Sequence, residues 1–333
     1  MRLRWLESVH AVTMSDRVIR LAMQLLNFAE LSMLDSIDRR DFLKTSCAVA
    51  SGSLALHAAF TQAAEPGERR LKKAVKLSMV SGKESLVEKF KMLKEAGFEG
   101  IDIDQRVEHD DVRRAREESG LIVHGVVDYD HWKLPLSHPD PKVRAAGLET
   151  LKTSLRDSKV YGGTTVLLVV GIVNKEISYA DAYQRTQEEI RKVLPLAKEL
   201  EIKIAFENVW NMFLLSPLEF ARYIDEFESP WVGAYFDIGN VVNYGWPEQW
   251  IRVLGKRILK VDVKEYSRKL RDEKGPYKGF EAELGEGDCD WPAVLAALDE
   301  VGYHGWGTAE VRGGDRDRLK EISRRMDRIL TLK

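Results

Sequence analysis

Four acidic side chains carry the chemistry that reads most directly from this chain. Glu207 closes the apolar run IKIAFEN, Asp237 lies in VGAYFDI, Asp262 in ILKVDVK and Glu310 in GWGTAEV. One Asp or Glu in such a place is usually a helix cap or a solvated loop residue. Four on four successive runs call for another reason. Brought together, four carboxylates repel one another unless a cation neutralises them. An all-oxygen donor set suits a hard divalent ion, Mn²⁺ or Mg²⁺ first, with Co²⁺ or Zn²⁺ able to substitute. Zinc fits less well because it favours His and Cys.

Other side chains stand close by in sequence. Lys264 follows Asp262 by two residues, so strand alternation puts both on one side and the ammonium is expected to neutralise Asp262. His124, inside LIVHGVV, either donates to a substrate or is a satisfied core histidine. Trp132, after His131, and Trp210 follow the third and fifth runs; each either stacks on a sugar ring or lids the core. Glu286, between two glycines, reads as loop structure.

The elements that must position these groups alternate strand and helix. Strand-like runs cover residues 73–80, 97–103, 121–127, 164–170, 202–208, 232–238, 258–264 and 305–311. Between them apolar residues recur at helical spacing, as in Leu86, Phe90 and Leu93, or Ile190, Val193 and Ala197. Such alternation gives a parallel sheet. Eight units after residue 65 match the roughly 250 residues of a (β/α)8 TIM barrel, whose active sites lie at the C-terminal ends of its strands. The alternative, an open doubly wound sheet, wants a glycine-rich phosphate loop after the first strand, and Ser78 to Lys83 is not one. Gly97 and Gly302 each stand between a helix and a strand, where a left-handed stop is expected. The longest irregular stretch runs from Ser267 to Asp290.

Residues 1–64 read differently. Arg39-Arg40, a moderately apolar segment from Thr45 to Gln62, and Ala63-Ala64 have the order of a twin-arginine export signal. The competing reading is a cytosolic amphipathic helix with a chance Arg-Arg pair. The distance from Met1 to the arginines makes Met33 a candidate true start. Export would place the mature protein, residues 65–333, in the periplasm or beyond. With Cys289 as its lone cysteine, the mature chain has no internal disulfide. A net charge of −2 offers no electrostatic footprint for nucleic acid, and no apolar run reaches membrane-spanning length.

The motifs GTTVLLV, FEN, FDIGN, LGEGDCDW and GYHGWGTAEV resemble those of the xylose-isomerase-like barrels. That family holds the sugar phosphate isomerases and epimerases, with D-tagatose 3-epimerases and hydroxypyruvate isomerase among its members. The resemblance runs from Leu71 to the C-terminus. It implies that Glu207, Asp237 and Glu310 ligate one divalent metal, and that Asp262 stands where the family has a histidine. It implies that Glu207 and Glu310 move the proton next to a carbonyl through a metal-stabilised enediolate. It also assigns Arg268 and Asn240 to substrate contact. The implied activity is sugar isomerisation or epimerisation on a small sugar, in a family whose members are often dimers or tetramers, and the export signal argues for an unphosphorylated sugar. A keto-sugar or 3-keto-glycoside lyase on the same site, and a non-catalytic sugar-binding barrel, are the alternatives. The endonuclease branch of the fold needs many histidines, and five remain after residue 64.

Overall fold

The computed structural model describes residues 71–331; the export-signal reading falls outside them. Eight parallel strands close into one barrel in sequence order. They are β1 (Lys72–Lys76), β2 (Gly100–Ile103), β3 (Ile122–Val127), β4 (Thr165–Leu168), β5 (Lys203–Glu207), β6 (Val232–Asp237), β7 (Ile258–Val263) and β8 (Trp306–Ala309). Closure pairs Lys72 with Trp306 and Ala74 with Thr308. The barrel expected from the alternation is the one found, with each strand shorter than its apolar run. The first run shows why: the chain leaves the sheet after Lys76 into a 3-10 turn, Leu77–Met79.

The helices are α1 (Leu86–Glu95), α2 (His109–Ser119), α3 (Pro141–Tyr161), α4 (Tyr179–Leu200), α5 (Pro217–Asp225), α6 (Ile238–Val242), α7 (Pro247–Leu254), α8 (Arg268–Lys274), α9 (Trp291–Glu300) and α10 (Arg316–Leu330). Local sequence sets their ends. Ser85 and Glu88 form a reciprocal capping box at α1, and Ser178, Ser216 and Asp315 cap α4, α5 and α10. Gly97 and Gly302 adopt φ of 93° and 73°, as their positions after helices require. The stretch from Ser267 to Asp290, expected to be irregular, contains α8 and a 3-10 turn.

The main core lies between sheet and helices. Phe90, Leu93, Ile190, Val193, Phe220 and Leu298 from helices meet Val75, Ile101, Ile204, Phe206 and Phe236 from strands. Burying each such side chain contributes about 1.5–3 kcal/mol. The barrel interior is different. Its apolar cluster is small, Leu167, Ala205 and Tyr235. The rest is polar: Tyr235 donates to Asp102 Oδ2 across the barrel (2.5 Å), and Lys260 donates to His124 Nδ1 (2.7 Å).

Candidate active site

The four carboxylates come to one end of the barrel. Glu207 ends β5, Asp237 ends β6, Asp262 is the penultimate residue of β7, and Glu310 follows β8 directly. The β6–β7 register pairs Asp237 with Asp262. One oxygen from each of the four lies within 4.8 Å of the others. Asp237 and Asp262 are fully buried, Glu207 is nearly so, and the Glu310 side chain is 32% exposed.

Asp237 is fixed by its neighbours. Its backbone N–H donates to Asn208 Oδ1, and its carbonyl accepts from Asn208 Nδ2, both at 2.8 Å. Its Oδ1 caps α6 by accepting from the Asn240 N–H (2.8 Å). Asn208, not singled out in the sequence, is therefore the brace that aims Asp237. The other oxygens are under-satisfied. Asp262 Oδ1 is buried with no hydrogen-bond partner, and Asp237 Oδ2 meets the Lys264 ammonium at 2.8 Å without hydrogen-bond geometry. Buried acceptors without a good donor are costly, and a coordinated cation satisfies both. The donor set fits a divalent ion.

Two lysines enter the cluster. Lys76 Nζ, at the end of β1, lies 3.0 Å from Asp262 Oδ2 and 2.8 Å from Glu310 Oε2. Lys264 Nζ lies 2.8 Å from Asp237 Oδ2 and 3.3 Å from Glu310 Oε1. The expected Lys264–Asp262 pairing is thus corrected. The strand β7 stops at Val263, so alternation no longer governs Lys264, whose stem packs against Gly239 of α6 beside Asp237. The partner of Asp262 is Lys76, which sequence reading missed. Its signal was a lysine set between apolar neighbours, Ala74-Val75 before it and Leu77 after it, at the C-terminal end of β1. Four carboxylates and two ammonium groups leave a formal charge of −2, the charge one divalent ion balances.

The two glutamates are held differently. Burial raises the Glu207 carboxyl to about 8 against the pull of Lys76. Burial would raise Glu310 as well, but Lys264 and Lys76 outweigh it and hold that carboxyl well below the usual range. Burial also raises Asp237 and, further, Asp262. A bound cation lowers all four, so the unequal lysine pairing, rather than any absolute value, is what separates the glutamates.

Above the carboxylates opens a cavity of about 300 Å³. Glu207, Glu310, Lys264 and Asn240 border it, with Trp132, Trp210, Tyr277 and Phe280 as aromatic walls. Trp210 is tilted against Tyr277 (5.3 Å) and Phe280 (4.9 Å). Its indole N–H donates to the Asn240 carbonyl (2.9 Å), which fixes the ring at the mouth. Asn240 borders the cavity as expected, but its amide already donates to the Asn208 carbonyl (3.0 Å) and accepts from Lys264 (3.4 Å).

Two expected substrate residues are not brought to the cavity. Arg268 donates to the carbonyls of Val242 (2.9 Å) and Gly245 (3.0 Å) and lies over Trp246, so it ties down the segment between α6 and α7. His124 is buried in the barrel interior, stacked on Trp306 at 4.6 Å, with its Nδ1 accepting from Lys260. Burial, then the Lys260 charge, lowers its pKa well below the usual value, so the ring is neutral. It is the satisfied core histidine. Glu286 pairs with Arg325 at 2.7 Å in an exposed loop. Cys289 is a free, buried thiol.

The family model for xylose isomerase-like TIM barrels matches residues 90–330. The curated L-ribulose-5-phosphate 3-epimerase UlaE of Escherichia coli O1:K1 / APEC is 24% identical over 240 residues, spanning 67% of this chain and 80% of that protein. The protein of the same name from Salmonella paratyphi C (strain RKS4594) is 24% identical over 242 residues, with the same shares covered. Among solved structures, the apo 3-keto-D-glucoside 4-epimerase YcjR from E. coli superposes with a TM-score of 0.66 at 18% identity, over 78% of this chain and 99% of that one. A D-tagatose 3-epimerase-like protein gives 0.64 at 20% identity, over 78% and 98%. At these identities the structural likenesses speak to the fold. With the family model covering most of the described barrel, the chain belongs to the xylose isomerase-like TIM barrel family.

Proposed function

We propose that this barrel is a divalent-metal-dependent sugar isomerase or epimerase that moves a proton on the carbon next to a carbonyl. The observation that carries the reading is geometric. Two glutamates from β5 and from the end of β8 border one cavity, with a four-carboxylate cation set around them. Relatives named as sugar epimerases support the same class.

The residues divide the work. Glu207, Asp237, Asp262 and Glu310 would hold the ion. When bound, the ion would stabilise the negative charge that develops on the substrate oxygens. Glu310, ion-paired to both lysines, is the better ionised of the two glutamates and takes the proton. Glu207, without a lysine contact as close, gives a proton back to the other face or to the adjacent carbon. Trp132, Trp210, Tyr277 and Phe280 present faces and edges to the sugar and exclude water.

The substrate is a neutral sugar or glycoside. Among the residues bordering the cavity, Lys264 is the one cation, and it is already committed to Asp237 and Glu310. Among the described residues bordering this cavity, a phosphate would find no spare positive charge. Here the reading departs from the phosphorylated substrate in the UlaE name. Export through Arg39-Arg40 would also take the enzyme away from phosphorylated metabolites.

The test is product analysis. Protein from about Glu65, loaded with Mn²⁺, is incubated with free ketoses, aldoses and 3-keto-glycosides, and products are read by NMR. An epimer or isomer lost in Glu310→Gln supports the proposal. An unsaturated product assigns elimination to the same site. Bound metal and bound sugar without any product would make this a binding barrel.

A further inference from the structure

Four carboxylates facing one divalent ion leave a charge problem that the chain itself must solve. The two lysines that solve it are not equivalent. Lys264 borders the cavity, within reach of a substrate. Lys76 borders no part of it and is buried beneath, held between Asp262 Oδ2 and Glu310 Oε2. Its Nζ also lies 6.0 Å from the centre of the Tyr235 ring, a cation–π seat from below. Tyr235 is locked in turn, donating to Asp102 Oδ2 and sharing a 2.7 Å hydrogen bond with Thr308. The ammonium is thus fixed on three sides. Asp262 does not border that cavity either; one oxygen meets Lys76 and the other, Oδ1, is buried without a hydrogen-bond partner among the described residues.

Resting on the metal reading above, we infer that Lys76 is a positioning residue of the metal centre. Its ammonium cancels the charge of Asp262, so the pair offers the ion a neutral oxygen donor and sets the site for a divalent rather than a trivalent cation. Without Lys76 the same four carboxylates would carry a formal charge of −3, with Lys264 the remaining ammonium.

The test is cation competition, read independently of catalysis. Mature protein is titrated with Tb³⁺, followed by its sensitised luminescence, and with Mn²⁺ in competition. The wild-type protein is expected to prefer Mn²⁺. Lys76→Met should shift the Tb³⁺-to-Mn²⁺ affinity ratio toward Tb³⁺ by on the order of a hundredfold, the effect of one unit charge a few ångströms away in a partly buried site. Lys76→Met with Asp262→Asn restores the formal charge and should bring the ratio back to within a few-fold of wild type. Asp262→Asn alone should move it in the opposite direction, and Lys76→Gln, which also removes the ammonium, carries the test if Lys76→Met does not fold. An unchanged ratio in folded Lys76→Met, or no restoration in the double variant, overturns the inference while leaving the metal reading intact. Absence of Mn²⁺ binding to the wild-type protein overturns both.

Discussion

Metal binding should stabilise the barrel, and the size of the effect follows from the cluster. Two unit charges 4.8 Å apart repel by about 3 kcal/mol at an effective dielectric constant of about 20. The lysines relieve part of that repulsion and leave two negative charges uncompensated. An ion bound only by the folded state adds RT ln(1 + [M]/Kd), about 2.7 kcal/mol at a concentration 100 times Kd. For a domain of this size each kcal/mol moves Tm by about 2–4 °C, so Mn²⁺ at saturation should raise Tm by about 5–11 °C. Differential scanning fluorimetry with EDTA, Mn²⁺ and Mg²⁺ reads this directly. Asp237→Asn is the control, because the amide oxygen can still accept from the Asn240 N–H and cap α6, while the second ligand oxygen and its charge are gone. The variant should fold and show a shift of about 2 °C or less. An equal shift in wild type and variant would place the ion elsewhere. No shift in the wild type, at millimolar metal, would refute the argument.

Three further outcomes are expected. Burial raises Asp128, whose Oδ2 lacks a hydrogen-bond partner, to about 7. Its folded pKa exceeds the unfolded value of about 3.9, so its contribution is full below that value and is lost as pH rises to about 7, by up to about 4 kcal/mol. Urea unfolding of wild type and Asp128→Asn at pH 4.5 and 8 should show the variant gaining relative stability at the higher pH; parallel profiles would contradict this. Arg268→Ala should lower stability by about 1–3 kcal/mol through its two carbonyl contacts and change KM less than threefold. A large KM effect without a loss of Tm would return Arg268 to the substrate. Replacing Arg39-Arg40 by Lys-Lys should retain the full chain in the cytoplasm of a host with twin-arginine export, as fractionation and blotting would show.

The fold was legible because its determinants are local. Short apolar runs and period-3.6 apolar patterns, with caps such as Ser85 and stops such as Gly302, specify strands and helices one unit at a time. Alternation then dictates a parallel barrel. Strand-end carboxylates were legible for the same reason, since a barrel sends every strand end to one face. What could not be read depends on contacts across the barrel. Lys76 is 186 residues from Asp262 and 234 from Glu310, and nothing in KAVKLSMV names those partners. His124 read equally as a donor or a core residue, and its fate was decided by Lys260 of β7 and Trp306 of β8, strands that do not neighbour β3. Arg268 has the spacing that the family resemblance assigns to substrate contact. The carbonyls at Val242 and Gly245 claim its guanidinium, and only the fold of the α6–α7 segment reveals that. Asn208 was invisible as a brace because its role is a backbone embrace of Asp237, 29 residues later.

The most direct test of the central claim is proton exchange in deuterated water. Metal-loaded protein from about Glu65 is offered the sugar panel, the metal is removed, and NMR reads deuterium at the carbons next to the carbonyl. The account predicts incorporation into at least one neutral sugar or 3-keto-glycoside, lost on EDTA treatment and reduced at least a hundredfold in Glu310→Gln. Incorporation that survives both EDTA and Glu310→Gln would contradict it, as would its absence across the panel with sugar and metal shown to be bound.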